Sequence, residues 1–111
     1  MSVSMSSPFG GGTRTRLLVA LRLLEESYPR ELARLLGSSL SSVQQAVKGL
    51  ERDGLVAVRS MGRTRLVRID PRYFARRELL PYLLRLSEAD PGLLAAIAAL
   101  RRRPRRAGKP L

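Results

Sequence analysis

The sequence predicts an α+β fold that is mostly α, with a three-helix core, a β-hairpin and further helices near the carboxyl end. Three observations predict it. Apolar residues recur at helical spacing over residues 14–26 and 40–53, two β-rich runs flank a glycine-containing turn at residues 60–63, and a helical pattern returns after Pro71. The 111 residues suffice for one domain with a single compact core.

The composition excludes several kinds of site. The chain has no Cys and no His, which removes disulfides, thiolate chemistry, the usual zinc sites and histidine bases. Its acidic residues form no acid–base constellation, because neighbours such as Glu25 and Glu26 would point about 100° apart on a helix. We therefore predict a protein that is not an enzyme and that holds no metal and no cofactor.

The charge predicts a polyanionic partner. Lys and Arg number 21 against 9 Asp and Glu, for a net charge of +12, and such a field concentrates polyanions near the surface. The bases are mostly Arg, which suits bidentate contacts with phosphate and guanine, although a GC-rich genome also produces an Arg bias. No apolar run reaches the ~18 residues that span a bilayer, and no secretory signal pattern opens the chain. We expect a soluble, cytoplasmic protein with no membrane partner.

The first predicted helix carries two apolar faces. Residues 1–12 are expected to form a flexible lead-in, and Thr13 is a plausible N-cap for a helix over residues 14–26. One stripe is formed by Leu17, Ala20, Leu21 and Leu24, while Val19 and Leu23 lie on the opposite side. The second face requires a further element of this chain or a second subunit.

The next two helices have the spacing of a helix-turn-helix. Pro29 opens a short helix over residues 30–36 that Gly37 ends, and a Gly-Ser-Ser turn leads to a second helix over residues 40–53 that Gly54 ends. Leu32, Leu35 and Leu36 are expected to point inward. The buried stripe of the second helix is predicted to comprise Val43, Ala46, Val47 and Leu50.

The exposed side of the second helix is rich in hydroxyl and amide side chains. It comprises Ser41, Gln45, Lys48 and Arg52, flanked by Ser42 and Gln44. Capping explains some of them, because Ser39 can cap the helix and Ser41 with Gln44 matches a capping box. Capping alone does not require so many. Short side chains let a helix approach the major groove, Gln pairs with the adenine edge and Ser contacts phosphates or bases. The alternative is an ordinary solvated face.

The predicted hairpin carries four arginines with no acidic residue between them: Arg59, Arg63, Arg65 and Arg68. Charge on an exposed hairpin often has no other role than to protect the strand edges from pairing with another chain. Directly after a helix-turn-helix, these arginines indicate instead a wing that contacts the DNA backbone and minor groove.

Three segments together carry a family resemblance: RELARLLG, then SSLSSVQQAVKGLERDGLV, then SMGRTRLVRIDP. They resemble the winged helix-turn-helix of ArsR/MarR-like transcriptional regulators over about residues 13–71. The resemblance implies that the second helix of the motif contacts the major groove and that the wing contacts flanking DNA. It assigns the helix role to Ser41, Ser42, Gln44, Gln45 and Lys48, and the wing role to Arg63 and Arg65. Arg59 is added to the predicted wing contacts from the charge pattern of the hairpin alone. The cysteine and histidine metal sites of the family are missing.

Residues 72–103 are predicted to form two helices that dimerise. The first, over residues 72–86, must kink or restart at Pro81, and Asp90-Pro91 caps the second, over residues 92–103. Five leucines (Leu79, Leu80, Leu83, Leu84 and Leu86) cover more than half of the first helix, too much for one small core. The predicted homodimer interface comprises Val19, Leu23, Leu80, Leu84, Leu94 and Ile97. The alternative is a monomer whose helices fold back on themselves.

These observations together predict a homodimeric, sequence-specific regulator that binds double-stranded DNA and represses transcription. Residues 104–111 are expected to form a basic, disordered tail that contacts nucleic acid nonspecifically. Two other functions stay open at this point: an architectural, nucleoid-associated protein that binds DNA without sequence preference, and a winged-helix module that binds a partner protein. A partner protein could also supply an effector function.

Overall fold

The computed structural model describes residues 9–102, with no side chain described for Arg102. In this range the chain forms five helices and a three-stranded antiparallel sheet of order β1-β3-β2. The elements are α1 (Gly12–Leu24), β1 (Glu26–Ser27), α2 (Pro29–Leu36), α3 (Leu40–Arg52), β2 (Val56–Met61), β3 (Thr64–Ile69), α4 (Arg76–Ser87) and α5 (Pro91–Arg102). The predicted α+β, mostly helical winged-helix class is confirmed. Residues 1–8 of the predicted lead-in and the predicted tail at 104–111 lie outside the described residues.

Helix α1 differs from the prediction at both ends. Its N-cap is Gly11, without a side-chain cap, so the assignment of Thr13 was wrong. It ends at Leu24 because Glu25 adopts a φ of 76°. The predicted helix over residues 25–26 was also wrong, since Glu26 and Ser27 form β1 and pair with β3. That pairing depends on a partner more than 35 residues away in sequence, which helical periodicity does not report.

The α2–turn–α3 unit confirms the predicted helix-turn-helix. Gly37 ends α2 in the left-handed conformation with a φ of 63°, and the backbone N–H of Ser38 donates to the Ala33 carbonyl at 3.0 Å. Ser39 caps α3, because its Oγ accepts from the backbone N–H of Ser42 at 3.1 Å. The alternative capping box of Ser41 with Gln44 was wrong, because the helix begins directly after Ser39 and Ser41 already lies inside it.

The β2–β3 hairpin, called the wing here, turns at Gly62 and Arg63, with Gly62 at a φ of 63°. Val58 is paired with Val67 and Ser60 with Arg65. Because side chains alternate across a strand, these four residues share the face that meets the helices. Arg59 and Arg68 lie on the opposite face. The wing therefore presents two chemically different sides.

The carboxyl-terminal helices begin differently from the prediction. Residues 71–75 form turns, so α4 begins at Arg76 and not at Arg72. The backbone N–H of Arg72 donates to Asp70 Oδ1 at 2.9 Å and lowers the pKa of Asp70, which stabilises this turn. Pro81 lies inside α4 and does not restart it. The predicted cap of α5 is confirmed, since Asp90 Oδ1 accepts from the Leu93 N–H at 3.1 Å.

Helix α1 lies at the centre of the hydrophobic core. The five consecutive residues 17–21 are all buried, because α1 is in contact with α2, α3, α4, α5 and β3. This packing corrects two predicted interface residues. Val19 is 0% exposed and Ile97 is 3% exposed within one protomer, so both belong to the core of the chain. The second apolar face of α1 is covered by further elements of the same chain.

Arginine side chains tie the carboxyl-terminal helices to this core. Arg16 Nε lies 2.6 Å from Asp90 Oδ2, and another nitrogen of the same guanidinium donates to the Leu36 carbonyl at 2.9 Å. Arg22 Nε donates to the Leu80 carbonyl at 3.0 Å. No helix in the described part of the chain has both the length and the apolar composition needed to cross a lipid bilayer.

Candidate nucleic-acid interface

The outer face of α3 and the inner face of the wing enclose a cleft of about 380 Å³, called the main cleft here. Val47, Val58 and Val67 form its apolar part. Its polar part contains four of the five helix residues that the sequence singled out, together with a wing arginine and one acid: Ser41, Gln44, Gln45, Lys48, Arg65 and Glu51. The fold therefore places the exposed face of α3 opposite the wing.

A second cleft, called the side cleft here, lies between the start of α2 and the tip of the wing, with a volume of about 480 Å³. Three arginines line it, together with a hydroxyl from Tyr28 and one from Thr64: Arg30, Arg63 and Arg65. Gln44 and Arg65 border both clefts. They therefore mark the place where the two clefts meet.

The cations of these clefts have no counter-ions of their own. Within residues 9–102, six arginines form ion pairs with acidic residues, whereas Arg30, Arg63, Arg65 and Lys48 form none. Unpaired guanidinium groups that border one concave surface are suited to phosphate, which they bind with bidentate geometry. These four cations therefore place positive charge beside the exposed face of α3.

Two of the predicted contact residues lie outside both clefts. Ser42 lies on the flank of α3, where its hydroxyl accepts from Ser39 Oγ at 2.9 Å. Arg59 lies on the outer face of the wing, 3.9 Å from the carboxylate of Glu26 in β1. The prediction that groups Arg59 with Arg63 and Arg65 does not match this geometry, because strand alternation turns Arg59 away from α3.

The structure adds three residues that the sequence did not single out: Tyr28, Arg30 and Glu51. Glu51 could have been found, because it follows Lys48 by three residues and Gln44 by seven and so shares their helix face. Tyr28 and Arg30 could not have been found from the sequence. Their role depends on the start of α2 lying beside the tip of the wing, a tertiary contact that no local pattern encodes.

The residues on this surface are of the types that contact duplex DNA. The major groove is about 12 Å wide and admits one α-helix. Short side chains at the start of α3, including Ser41, allow close approach to base edges. The adjoining clefts add cations that are unpaired within residues 9–102 and are of the type that binds phosphates.

A sequence model of the MarR family matches residues 11–65. The matched segment begins at the start of α1 and ends in β3, so it includes every residue of the side cleft and all but Val67 of the main cleft. Helices α4 and α5 lie beyond it. No curated protein matches the chain.

Proposed function

We propose that residues 11–65, which match the MarR family model, form the winged helix-turn-helix DNA-binding domain of a transcriptional regulator. In this proposal the protein represses transcription by binding specific double-stranded DNA sites as a homodimer. The observation that carries this proposal is the main cleft. In it, the polar face of α3 lies opposite a wing arginine that has no counter-ion.

We assign base recognition to the face of α3 that borders the clefts. Gln44 and Gln45 can each donate to and accept from an adenine edge, and Lys48 can donate to guanine O6 or N7. Ser41 lies in the first turn, where a short side chain allows the helix to enter the groove. Ser42 supports the same turn through the Ser39 cap.

Phosphate binding belongs, in this proposal, to the side cleft. Arg63 at the wing tip and Arg30 in the first turn of α2 border it from two sides. The Tyr28 hydroxyl can donate to the same phosphate oxygens. Such contacts fix the orientation of the protein on the duplex but carry no sequence information.

We assign dimerisation to α4 and α5, within residues 72–103. Three apolar side chains on these helices stay exposed in the protomer: Tyr82 at 40%, Leu84 at 44% and Leu94 at 37%. Leu80 and Leu23, which complete the expected interface, are half-buried. A twofold axis through this surface would present two α3 helices to successive turns of the major groove, about 34–36 Å apart, and would favour a palindromic site.

Repression is the mode that the family resemblance implies. A dimer bound over a promoter excludes polymerase without any further activity. Because both α3 and the wing would contact DNA, the protein would cover a complete operator half-site with each protomer.

Selection of bound sites from random duplexes tests the proposal, with native mass spectrometry of the selected complex. We expect an enriched palindromic sequence and two protomers per duplex. Enrichment without any shared sequence would favour the architectural alternative. Absence of duplex binding at low salt would favour a protein-interaction module.

A further inference from the structure

The main cleft contains one acidic side chain, and that side chain has no partner. Glu51 lines the cleft beside Lys48 and Arg65, yet it forms no ion pair or side-chain hydrogen bond within residues 9–102. The only other acids without such a partner are Glu25 and Glu78, and neither lines either cleft. Every other acid has a partner: Glu31 accepts a hydrogen bond from the Ser27 hydroxyl at 2.6 Å, and the rest form ion pairs, as Asp53 does with Arg14 at 3.2 Å.

Helix stability does not explain why position 51 carries a glutamate. It lies in the last turn of α3, where the negative end of the helix dipole disfavours a carboxylate. Lys48, three residues earlier, is on the same helix face but beyond the ion-pair distance. A neutral or basic side chain would serve the helix better at this position.

We propose that Glu51 is a specificity-determining residue that repels DNA phosphates from the main cleft and so weakens binding to non-cognate sequences. The inference rests on the DNA-binding function proposed above. A surface with four unpaired cations attracts every duplex equally, because phosphates carry no sequence information. A carboxylate placed among those cations lowers this shared attraction and leaves base contacts to decide between sites, which is discrimination by repulsion.

The effect should differ between cognate and random DNA. On random DNA only phosphates hold the duplex, so it can shift towards any of the unpaired cations, including Lys48 and Arg65, which share the main cleft with Glu51. On the cognate site, base contacts hold the duplex in one position. The duplex therefore cannot move closer to residue 51 when a substitution removes the repulsive carboxylate. A unit charge about 4 Å from a phosphate in water is worth roughly fivefold in affinity.

Glu51→Gln tests the proposal, with Glu78→Gln as its matched control. Both substitutions remove one negative charge from an unpaired, exposed glutamate and keep the side-chain shape, but Glu78 lies on α4 outside the clefts. Affinities of the wild type and both variants are measured on the selected site and on random duplexes across a range of salt concentrations. Thermal unfolding of each variant reports whether folding has changed.

We expect Glu51→Gln to raise affinity for random duplexes about fivefold and for the selected site less than twofold, without lowering the unfolding temperature. The salt slope on random DNA should steepen by about 0.9, the value for one more phosphate contact. Equal behaviour of the two variants would overturn the proposal, because position would then not matter. A selective loss on the selected site would also overturn it and make Glu51 an acceptor for a base. If the wild type itself binds no duplex, the DNA-binding function fails.

Discussion

At the scale of single residues, Gln44 is the side chain best placed to contact a base, since it borders both clefts. We predict that Gln44→Ala costs ~1–3 kcal/mol on the preferred site and much less on random DNA, because only the preferred site offers the matching base edge. Gln45→Ala should act in the same direction. Fluorescence anisotropy titrations on both duplexes measure the difference.

Ser42→Ala is the control for this prediction. Ser42 lies on the same helix but outside both clefts, and its backbone N–H, the group that Ser39 caps, is retained. The loss of DNA affinity caused by Ser42→Ala should therefore be small and equal on both duplexes. Equal losses for Gln44→Ala as well would mean that Gln44 contacts the backbone and that base recognition lies elsewhere.

The backbone conformation of Glu25 is unfavourable for a residue that carries a Cβ. Its φ of 76° and ψ of −46° lie in a region that non-glycine residues seldom occupy, at a cost of ~1–3 kcal/mol. Glycine removes that cost but loses more entropy on folding. We predict that Glu25→Gly stabilises the protein by ~1 kcal/mol, measured by urea unfolding.

Glu25→Gln separates backbone strain from charge. It removes the carboxylate from the end of α1 but keeps a Cβ, so strain persists and stability should change by only a few tenths of a kcal/mol. A gain as large for Gln as for Gly would show that the charge, and not the conformation, is unfavourable at this position.

At the scale of elements, local signals predicted the helix-turn-helix better than its surroundings. Pro29 and Gly37 start and end a helix through their backbone conformation, and Ser39 caps a helix through its side chain; the structure confirms all three. The boundaries that were wrong depend on distant contacts. Strand β1 exists because β3 supplies its partners, and α4 begins late because an Asp70 turn occupies the residues before it.

The residues of the candidate interface show the same difference between local signals, which the sequence contains, and distant contacts, which it does not show. Helical periodicity placed Ser41, Gln44, Gln45 and Lys48 on one exposed face, and all four line the main cleft. It could not show that Val19 would be buried within its own chain, because an apolar face has the same pattern whether it meets its own chain or another. Nor did it separate Arg59 from Arg65, since that requires the register of the hairpin.

The two sides of the wing lead to a prediction about this element. Arg63 borders the side cleft without a counter-ion, whereas Arg59 lies on the outer face beside Glu26. We predict that Arg63→Ala lowers DNA affinity and reduces the slope of log affinity against log salt by ~0.9. The loss should be larger when AT-rich sequence flanks the site, because a narrow minor groove attracts arginine.

Arg59→Ala removes the same side chain from the same hairpin and is the matched control. It should leave the salt slope and the flank preference close to those of the wild type. If the two variants behave alike, the wing contributes only its overall charge, and the DNA does not contact it in the proposed orientation.

At the scale of the whole molecule, the DNA-binding and carboxyl-terminal parts share one core. Arg16 joins α1 to the last carbonyl of α2 and to Asp90, which also caps α5. The guanidinium therefore links the end of the first helix of the helix-turn-helix to the start of α5. If a partner protomer binds to α4 and α5 as proposed above, its position relative to α3 is set through this junction and not through a flexible linker.

The last prediction concerns assembly and uses the exposed apolar residues of α4. We predict that the protein is a dimer at micromolar concentration and that Leu84→Glu yields monomers, because a charge at this 44% exposed position would be desolvated in the dimer but not in the protomer. Sedimentation equilibrium measures both states. Monomers should also bind the selected palindrome more weakly, since each half-site offers few contacts.

Two further variants show whether a loss of dimer is specific. Met61→Glu introduces the same charge at an exposed apolar residue of the wing, away from α4 and α5, and should leave the dimer intact. Val19→Glu places the charge in the core of the protomer, so it should lower the unfolding temperature at every protein concentration, whereas Leu84→Glu should abolish only the dependence of that temperature on concentration. A wild type that sediments as a monomer at these concentrations would contradict the dimer and leave the exposed side chains of α4 and α5 to another partner.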